Sequence, residues 1–304
     1  MKRIICICGI LFASFGLPVV ASAQESGGRD SQRDKKFSDA TKSEWNDRHE
    51  RIQHEIESLP NHEWAGSYYH GDGLGVNASL TMAPSNGFVF VWTGCMGVYD
   101  RNYGDVTFTD QGTIQLTFEF VNDEKGFQGV SPEFMPIAWG ERHYLIEPDR
   151  VIGFCNSVNS GREPREGARG FYFLRRGDES KPVDGMPPVD DFHKQYMPAD
   201  AIKAQIIEVG ETTSTTSKYG ITTVTAKVKL NVGSKDKVLP GMEFELYAPD
   251  VARLGNRAKV LKVSESSCDA EVRYISTDKR DVVEPKVGWK YTTGSPWAYG
   301  LDVD

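Results

Sequence analysis

Apolar and polar positions change rhythm several times along this chain, and each change predicts an element. Residues Ile4 to Val20 form an unbroken run of apolar and small side chains. Between 38 and 59 the spacing is helical. Trp45, Ile52, Ile56 and Leu59 fall on one stripe, and the remaining positions are densely charged with both signs. Ser38 or Asp39 supplies the N-cap of this helix, and Pro60 stops it. The stripe is narrow, which suits packing on an adjacent domain. From Trp64 to Arg175 short runs of Val, Phe, Tyr, Trp and Thr are broken by Gly, Asn, Asp and Pro. Strands are predicted near 64–70, 74–82, 87–93, 96–100, 104–109, 112–121, 142–147, 150–156 and 169–175. The clearest alternates strictly, with Ile114, Leu116, Phe118 and Phe120 on one face. Ser85-Asn86-Gly87 and Asp110-Gln111-Gly112 are hairpin turns. Many short antiparallel strands with close turns predict a meander that closes into a barrel or folds into a sandwich. Closure also removes sticky edges.

A second β unit follows at 201–293. Ile206-Ile207 and Val209 begin it. Val224, Ala226, Val228 and Leu230 then alternate with Thr223, Thr225, Lys227 and Lys229. Further runs at 242–247, 258–263, 268–275 and 289–293 make a small barrel of the SH3-like or OB-like kind. Residues 177–200 carry four prolines and many acids, which predicts a stiff, extended linker. The fold class is therefore mainly β: an N-terminal helix, an antiparallel barrel or sandwich, a linker and a second small barrel. The expected boundaries are a signal peptide at 1–23, a polar disordered segment at 24–35, and the helix with its β domain at 36–176. The linker at 177–200, the small barrel at 201–293 and a tail at 294–304 complete the chain.

The first 23 residues bear on location. Lys2 and Arg3 precede the apolar run, and Ala21-Ser22-Ala23 ends it, which is the order of a secretory signal. The run is at the short limit for a membrane span and carries Gly9, Gly16 and Pro18. No Cys follows the cleavage site to carry a lipid. The expectation is a soluble periplasmic or secreted protein with no membrane insertion after cleavage. The formal net charge is −8. It is concentrated in residues 24–200, with 18 basic and 29 acidic side chains, against 15 and 14 over 201–304. An acidic first half is unsuited to phosphate backbones, whose affinity comes from cations releasing counterions, so nucleic acid is not an expected partner.

Three cysteines lie beyond the expected signal: Cys95, Cys155 and Cys268. Export permits oxidation. Cys95 and Cys155 fall in one predicted domain and are expected to pair, closing a loop of about 60 residues worth about 4 kcal/mol. Cys268 reads as a small buried hydrophobe.

Two resemblances add to this reading. Asn231-Val-Gly-Ser-Lys-Asp-Lys-Val-Leu-Pro-Gly-Met-Glu-Phe-Glu-Leu-Tyr247 runs a strand into Gly233, turns at Lys235-Asp236, and returns through Pro240-Gly241. Ala258–Val263 and Pro285-Lys-Val-Gly-Trp289 follow. This third of the chain resembles the small β-barrel module at the C-terminal end of flagellar assembly protein T and similar exported bacterial proteins. The resemblance implies a bacterial envelope setting and a scaffold or docking role, with no catalytic residues. Glu63-Trp64-Ala65-Gly66-Ser67-Tyr68-Tyr69 resembles the opening of lipocalin-type barrels, where a Trp plugs the closed end, although Gly66 here follows the Trp. That likeness implies architecture alone.

Chemical motifs are sparse. His49 and His54 lie five residues apart on the helix, about 140° around its axis, and do not share the face a metalloprotease signature needs. No Cys-x-x-Cys, Gly-x-Ser-x-Gly or phosphate loop occurs, so no metal and no cofactor are expected. Three polar segments flanked by aromatic or loop-forming residues are the candidate binding surface. They contain Tyr99, Asp100, Arg101 and Tyr103; Trp139, Glu141 and Arg142; and Asn156, Arg162 and Arg165. Such residues hold loop shape more often than they bind. The expected disulfide would bring the first and third segments together. The leading expectation is a non-catalytic exported binding or scaffold protein of the bacterial envelope, with an envelope protein or glycan as partner. A lipocalin-like small-ligand carrier is the alternative. Less favoured is a polysaccharide hydrolase using a carboxylate pair drawn from Asp72, Asp100, Glu119, Glu141 and Asp149.

Overall fold

A computed structural model of the chain describes residues 39–71, 73, 75–95, 97–120, 129–162, 172–248, 254–276 and 283–295. The expected signal peptide and disordered segment, and residues 296–304 of the tail, lie outside them. The described chain divides into two compact units. One takes residues 39–148 and 172–188, the other 149–162 and 189–295.

The first unit opens with helix α1 (Asp39–Ser58). Eight strands follow: β1 (Gly66–Gly71), β2 (Val76–Ala83), β3 (Gly87–Gly94), β4 (Gly97–Phe108), β5 (Ile114–Phe120), β6 (Glu133–Trp139), β7 (Arg142–Ile146) and β8 (Phe173–Arg175). Each pairs antiparallel with the next, and β8 returns to β1, so the expected barrel or sandwich is a closed up-and-down barrel. Period-two alternation puts one face of every strand inside. Tyr68, Leu80, Met82, Phe88, Phe90, Ile114, Phe134 and Leu145 are all buried there in one apolar cluster. Each such side chain contributes about 1.5–3 kcal/mol by leaving water. Gly104 makes room for this packing. It sits opposite Phe88 on β3 and Phe118 on β5, whose rings meet edge to face at 5.3 Å. A Cβ on Gly104 would clash with the Thr117 carbonyl oxygen.

Closure is short. β8 meets β1 at Tyr68↔Arg175 and Tyr69↔Leu174, and meets β7 at Tyr144↔Leu174 and Leu145↔Phe173. Arg175 reinforces it. Its Nη2 donates to the carbonyls of His62 at 2.9 Å and Glu63 at 3.0 Å and to the Tyr68 hydroxyl at 3.1 Å. Arg176 extends the ladder, its N–H donating to the Ser67 carbonyl at 2.8 Å.

Helix α1 lies on the outside of β2 and β3 by the expected stripe. Ile52 is fully buried with Ala83 and Val89, and Trp45, Ile56 and Tyr103 pack around them. Two charged residues do as much. Arg48 donates from Nη1 to the Gly104 carbonyl at 2.7 Å and from Nη2 to Glu119 Oε1 at 2.6 Å. Its guanidinium lies 5.3 Å over the Tyr103 ring. Glu55 accepts from the Ser85 and Asn86 backbone N–H groups at 2.9 and 3.0 Å and so holds the β2–β3 turn. Burial acts to raise the Glu55 pKa, but these hydrogen bonds outweigh it and hold the carboxyl below its ordinary value.

The second unit begins with a helix where a strand was expected. Residues 150–156 read as β because they are rich in apolar residues, yet Val151–Asn159 is helix α2. Its buried Val151, Phe154 and Cys155 have i, i+3, i+4 spacing. The prolines at 182–198 do not make one extended linker. Residues 178–188 belong to the first unit and 189–200 to the second. There Asp190 caps a short helix, α3 (Asp191–Lys194), and Val189, Tyr196 and Met197 are buried. Six strands then form a closed antiparallel barrel in the order β10-β13-β12-β11-β14-β9. They are β9 (Lys203–Thr216), β10 (Thr222–Leu230), β11 (Glu243–Ala248), β12 (Leu254–Val263), β13 (Cys268–Ser276) and β14 (Lys290–Thr292). Val224, Ala226, Val228 and Leu230 point inward, as their alternation predicts.

The helix-to-barrel contacts predict a specific weakness. Replacing the buried Arg48 by Met leaves Glu119 and the Gly104 carbonyl without their donor. Because Glu119 is half exposed, the expected cost is about 1–3 kcal/mol. The exposed neighbour Arg51→Met is expected to change stability by less than about 0.5 kcal/mol. Paired thermal melts check the difference.

Candidate functional site

The first two expected binding segments lie at opposite ends of the first barrel, and the third belongs to the other unit. Tyr99–Tyr103 is not a turn but the interior of β4, so successive side chains face opposite ways. Asp100 and Asn102 are buried, 2% and 1% exposed. Asp100 Oδ2 accepts from Asn102 Nδ2 at 2.7 Å and from the Gly129 N–H at 2.9 Å, which ties β4 to the approach to β6. Tyr99 packs against Trp92, ring centres 5.3 Å apart. Tyr103 lies beneath Arg48 on the outer face. Burial, followed by the nearby Glu44 and Glu119 carboxylates, pushes its hydroxyl pKa upward.

Trp139, Glu141 and Arg142 sit at the β6–β7 turn. In an up-and-down barrel this turn is at the opposite end from the start of β4, where Asp100 lies. Asp100 and Glu141 therefore do not flank one glycosidic bond. The turn instead grips the chain beyond β8. Trp139 Nε1 donates to the carbonyls of Asp184 at 3.1 Å and Gly185 at 3.0 Å. Arg142 Nε donates to the Lys181 carbonyl at 2.6 Å, and the Glu141 N–H to the Pro182 carbonyl at 3.1 Å. Asp178, which the sequence did not single out, completes the latch. It is 1% exposed. It accepts from the His143 backbone N–H and contacts its Nδ1, each at 2.9 Å, and pairs with Lys181 Nζ at 2.5 Å. Burial acts to raise the Asp178 pKa, but its bonds to His143 and Lys181 more than offset that and hold the carboxyl below its ordinary value.

The third segment belongs to the second unit. Asn156 Nδ2 donates to the Gly241 carbonyl at 2.9 Å, and its Oδ1 accepts from the Glu243 N–H at 3.1 Å. Arg162 pairs with Glu243 and Glu245 at 3.4 and 3.3 Å, and Arg257 pairs with the same two carboxylates. Arg165 lies outside the described residues.

The expected Cys95–Cys155 disulfide is not formed. The pairing rested on 150–156 being a strand of the first barrel, but these residues form α2 in the other unit. Cys95 is exposed on the β3–β4 turn, whereas Cys155 is buried with its Sγ 3.7 Å from the His193 carbonyl. Burial pushes the thiols of both Cys155 and Cys268 up to about 12.

Two hollows are described, both outside the first barrel along α1. One, of about 710 Å³, is a broad depression over Asp47, Glu50, Arg51, His54 and Glu55. The other, of about 300 Å³, is a groove between α1 and the β3–β4 pair, lined by Lys42, Trp45, Asn46, Val91 and Arg101. It brings two cations beside an indole and an amide, a combination suited to an anionic or glycan partner. Arg101 was expected at a binding surface; Lys42, Trp45 and Asn46 were not, because they reach it from a helix distant in sequence. His49 stacks on Trp45 at 5.2 Å, and burial lowers its pKa, while the His54 side chain is exposed. Among the described residues no cluster of His, Cys, Asp or Glu is arranged to hold a metal, and no helix is long and apolar enough to cross a membrane. No protein-family model matches the chain, and neither a curated protein nor a solved structure matches it.

Two outcomes follow from the latch and the thiols. Asp178 has a depressed folded-state pKa, so its stabilisation is fully present above the ordinary carboxylate value and is lost as pH falls through the folded value. Asp178→Asn is expected to lose about 1–3 kcal/mol at neutral pH and to flatten the fall in stability expected of the parent as pH drops below the ordinary carboxylate range. Acid titrations of both proteins followed by circular dichroism check this. In thiol titration without reductant, Cys95 is expected to react in the native protein, and Cys155 and Cys268 upon unfolding. A denatured protein exposing Cys268 without Cys95 and Cys155 would contradict the assignment.

Proposed function

We propose that this chain is a non-catalytic binding or scaffold protein exported to the bacterial envelope, and that it meets its partner on the outside of the first barrel. The observation that carries the reading is how the polar residues are used. Asp100, Trp139, Arg142, Asn156 and Arg162 are engaged in holding the chain's own segments together. The groove lined by Lys42, Trp45, Asn46, Val91 and Arg101 is a concave surface on the outside of the barrel, braced by Trp45 Nε1, which donates to the Phe90 carbonyl at 3.2 Å. The carrier reading needs room inside the barrel, and fully buried Phe88, Phe90 and Phe134 occupy that interior. The basic, apolar and small-residue order of Met1–Ala23 supports export. The acidic balance of residues 24–200 supports a protein or glycan partner over nucleic acid.

The experiment is capture by the immobilised chain from separated protein and glycan fractions of a bacterial envelope, repeated with Arg101→Glu. The reading expects a partner retained by the parent and bound at least about tenfold more weakly by the variant, since reversing a rim charge opposes an anionic partner. Retention unaffected by the variant, or turnover of an envelope substrate by the purified chain, would contradict it.

A further inference from the structure

The second barrel is closed over part of its height. β9 pairs with β14 through Lys203, Ala204 and Gln205, and Ile206 exchanges backbone bonds with Gly288 and Trp289. Beyond that point β9 continues to Thr216, held on one side by β10 as far as Thr216↔Thr222. Its other side, from Glu208 to Thr216, meets no strand among the described residues. An open edge presents unpaired N–H and C=O groups to any extended chain, and proteins usually blunt it with Lys, Pro or an inward charge. From Thr212 to Ser217 this edge carries no charge and no Pro. A bulge at Gly210-Glu211 sets that run apart from the barrel wall.

We propose that this edge pairs antiparallel with the same edge of a second copy, about a two-fold axis at Ser214. A two-fold axis normal to the sheet sets Ser214 against Ser214, Thr213 against Thr215 and Thr212 against Thr216. Glu211 then faces Ser217, so no like charges oppose each other. Facing Thr hydroxyls are favourable cross-strand neighbours, and the same pairing occurs within the chain, where Thr216 Oγ1 lies 3.1 Å from Thr222 Oγ1. The ends of the edge are also complementary. Ile207 is 47% exposed at one end, and Tyr219 is 77% exposed on the hairpin tip at the other. Antiparallel pairing carries each Tyr219 toward the second copy's Ile207. A charge-free middle between apolar ends fits the chain's own edge better than a charged peptide. The contact is isologous and continues β13-β10-β9 into a sheet of twice the width. It is smaller than a standard interface, so the dimer is weak.

Sedimentation velocity of the purified chain, taken up to about 0.2 mM to populate so small an interface, tests the proposal. The parent is expected to show a concentration-dependent monomer–dimer equilibrium. Ser214→Lys and Ser214→Glu each set like charges directly opposite and are expected to weaken the dimer at least about tenfold, while an equal mixture of the two recovers it. Ser214 is exposed, so thermal melts of both variants are expected to match the parent. A parent that stays monomeric, whether or not it takes up an extended peptide on β9, would overturn the proposal. So would a dimer indifferent to both variants.

Discussion

Closure of the first barrel through the three-residue strand β8 is the constraint on which the rest of that unit depends. The chain leaves the barrel after β7 and supplies α2 to the other unit before it returns to close the sheet. So short a strand brings few ladder bonds of its own. The bonds that hold it come from side chains: Arg175 to the His62 and Glu63 carbonyls, and Asp178 to His143 immediately beyond. Once β8 is seated, neither edge of the meander is left to pair with another chain, and the interior phenylalanines lose their access to water.

The polar residues make sense in that frame. A barrel filled with large side chains has little internal room for a ligand, and its connections need fastening from the outside. Trp139 and Arg142 fasten the segment after β8, Asp100 fastens the approach to β6, and Arg48 and Glu55 fasten the helix. In the second unit Asn156 does the same work for the Pro240-Gly241 turn and β11. The surfaces proposed for binding are accordingly outer ones: the groove beside α1 and the edge of β9 that meets no strand among the described residues.

Much of the fold was legible in the sequence because it depends on short-range periodicity. The alternation at Ile114–Phe118 and Val224–Leu230, and the helical stripe through Ile52, each matched the buried face. β6 escaped notice because Pro136 interrupts its pattern, yet Pro136 pairs with Leu145 within the β6–β7 ladder. Residues 150–156 misled because a short apolar run is ambiguous until its length and burial are known. The candidate site was less legible. Aromatic and charged residues clustered in sequence were separated by strand alternation and by opposite barrel ends. Asp178 and Arg48, whose importance comes from distant partners, had no local mark. The groove combines a helix with strands some fifty residues on, a proximity set by packing rather than by spacing.

The central claim is that the first barrel is closed by β8 and filled. Residue-resolved amide hydrogen exchange tests it most directly, because a closed barrel protects β1 and β8 along with the middle strands. Tyr69, Leu174 and Arg176 are expected to exchange slowly, on the scale of Val89 and Phe90 in β3. Fast exchange at those three positions with β3 still protected would show an open sheet and contradict the account.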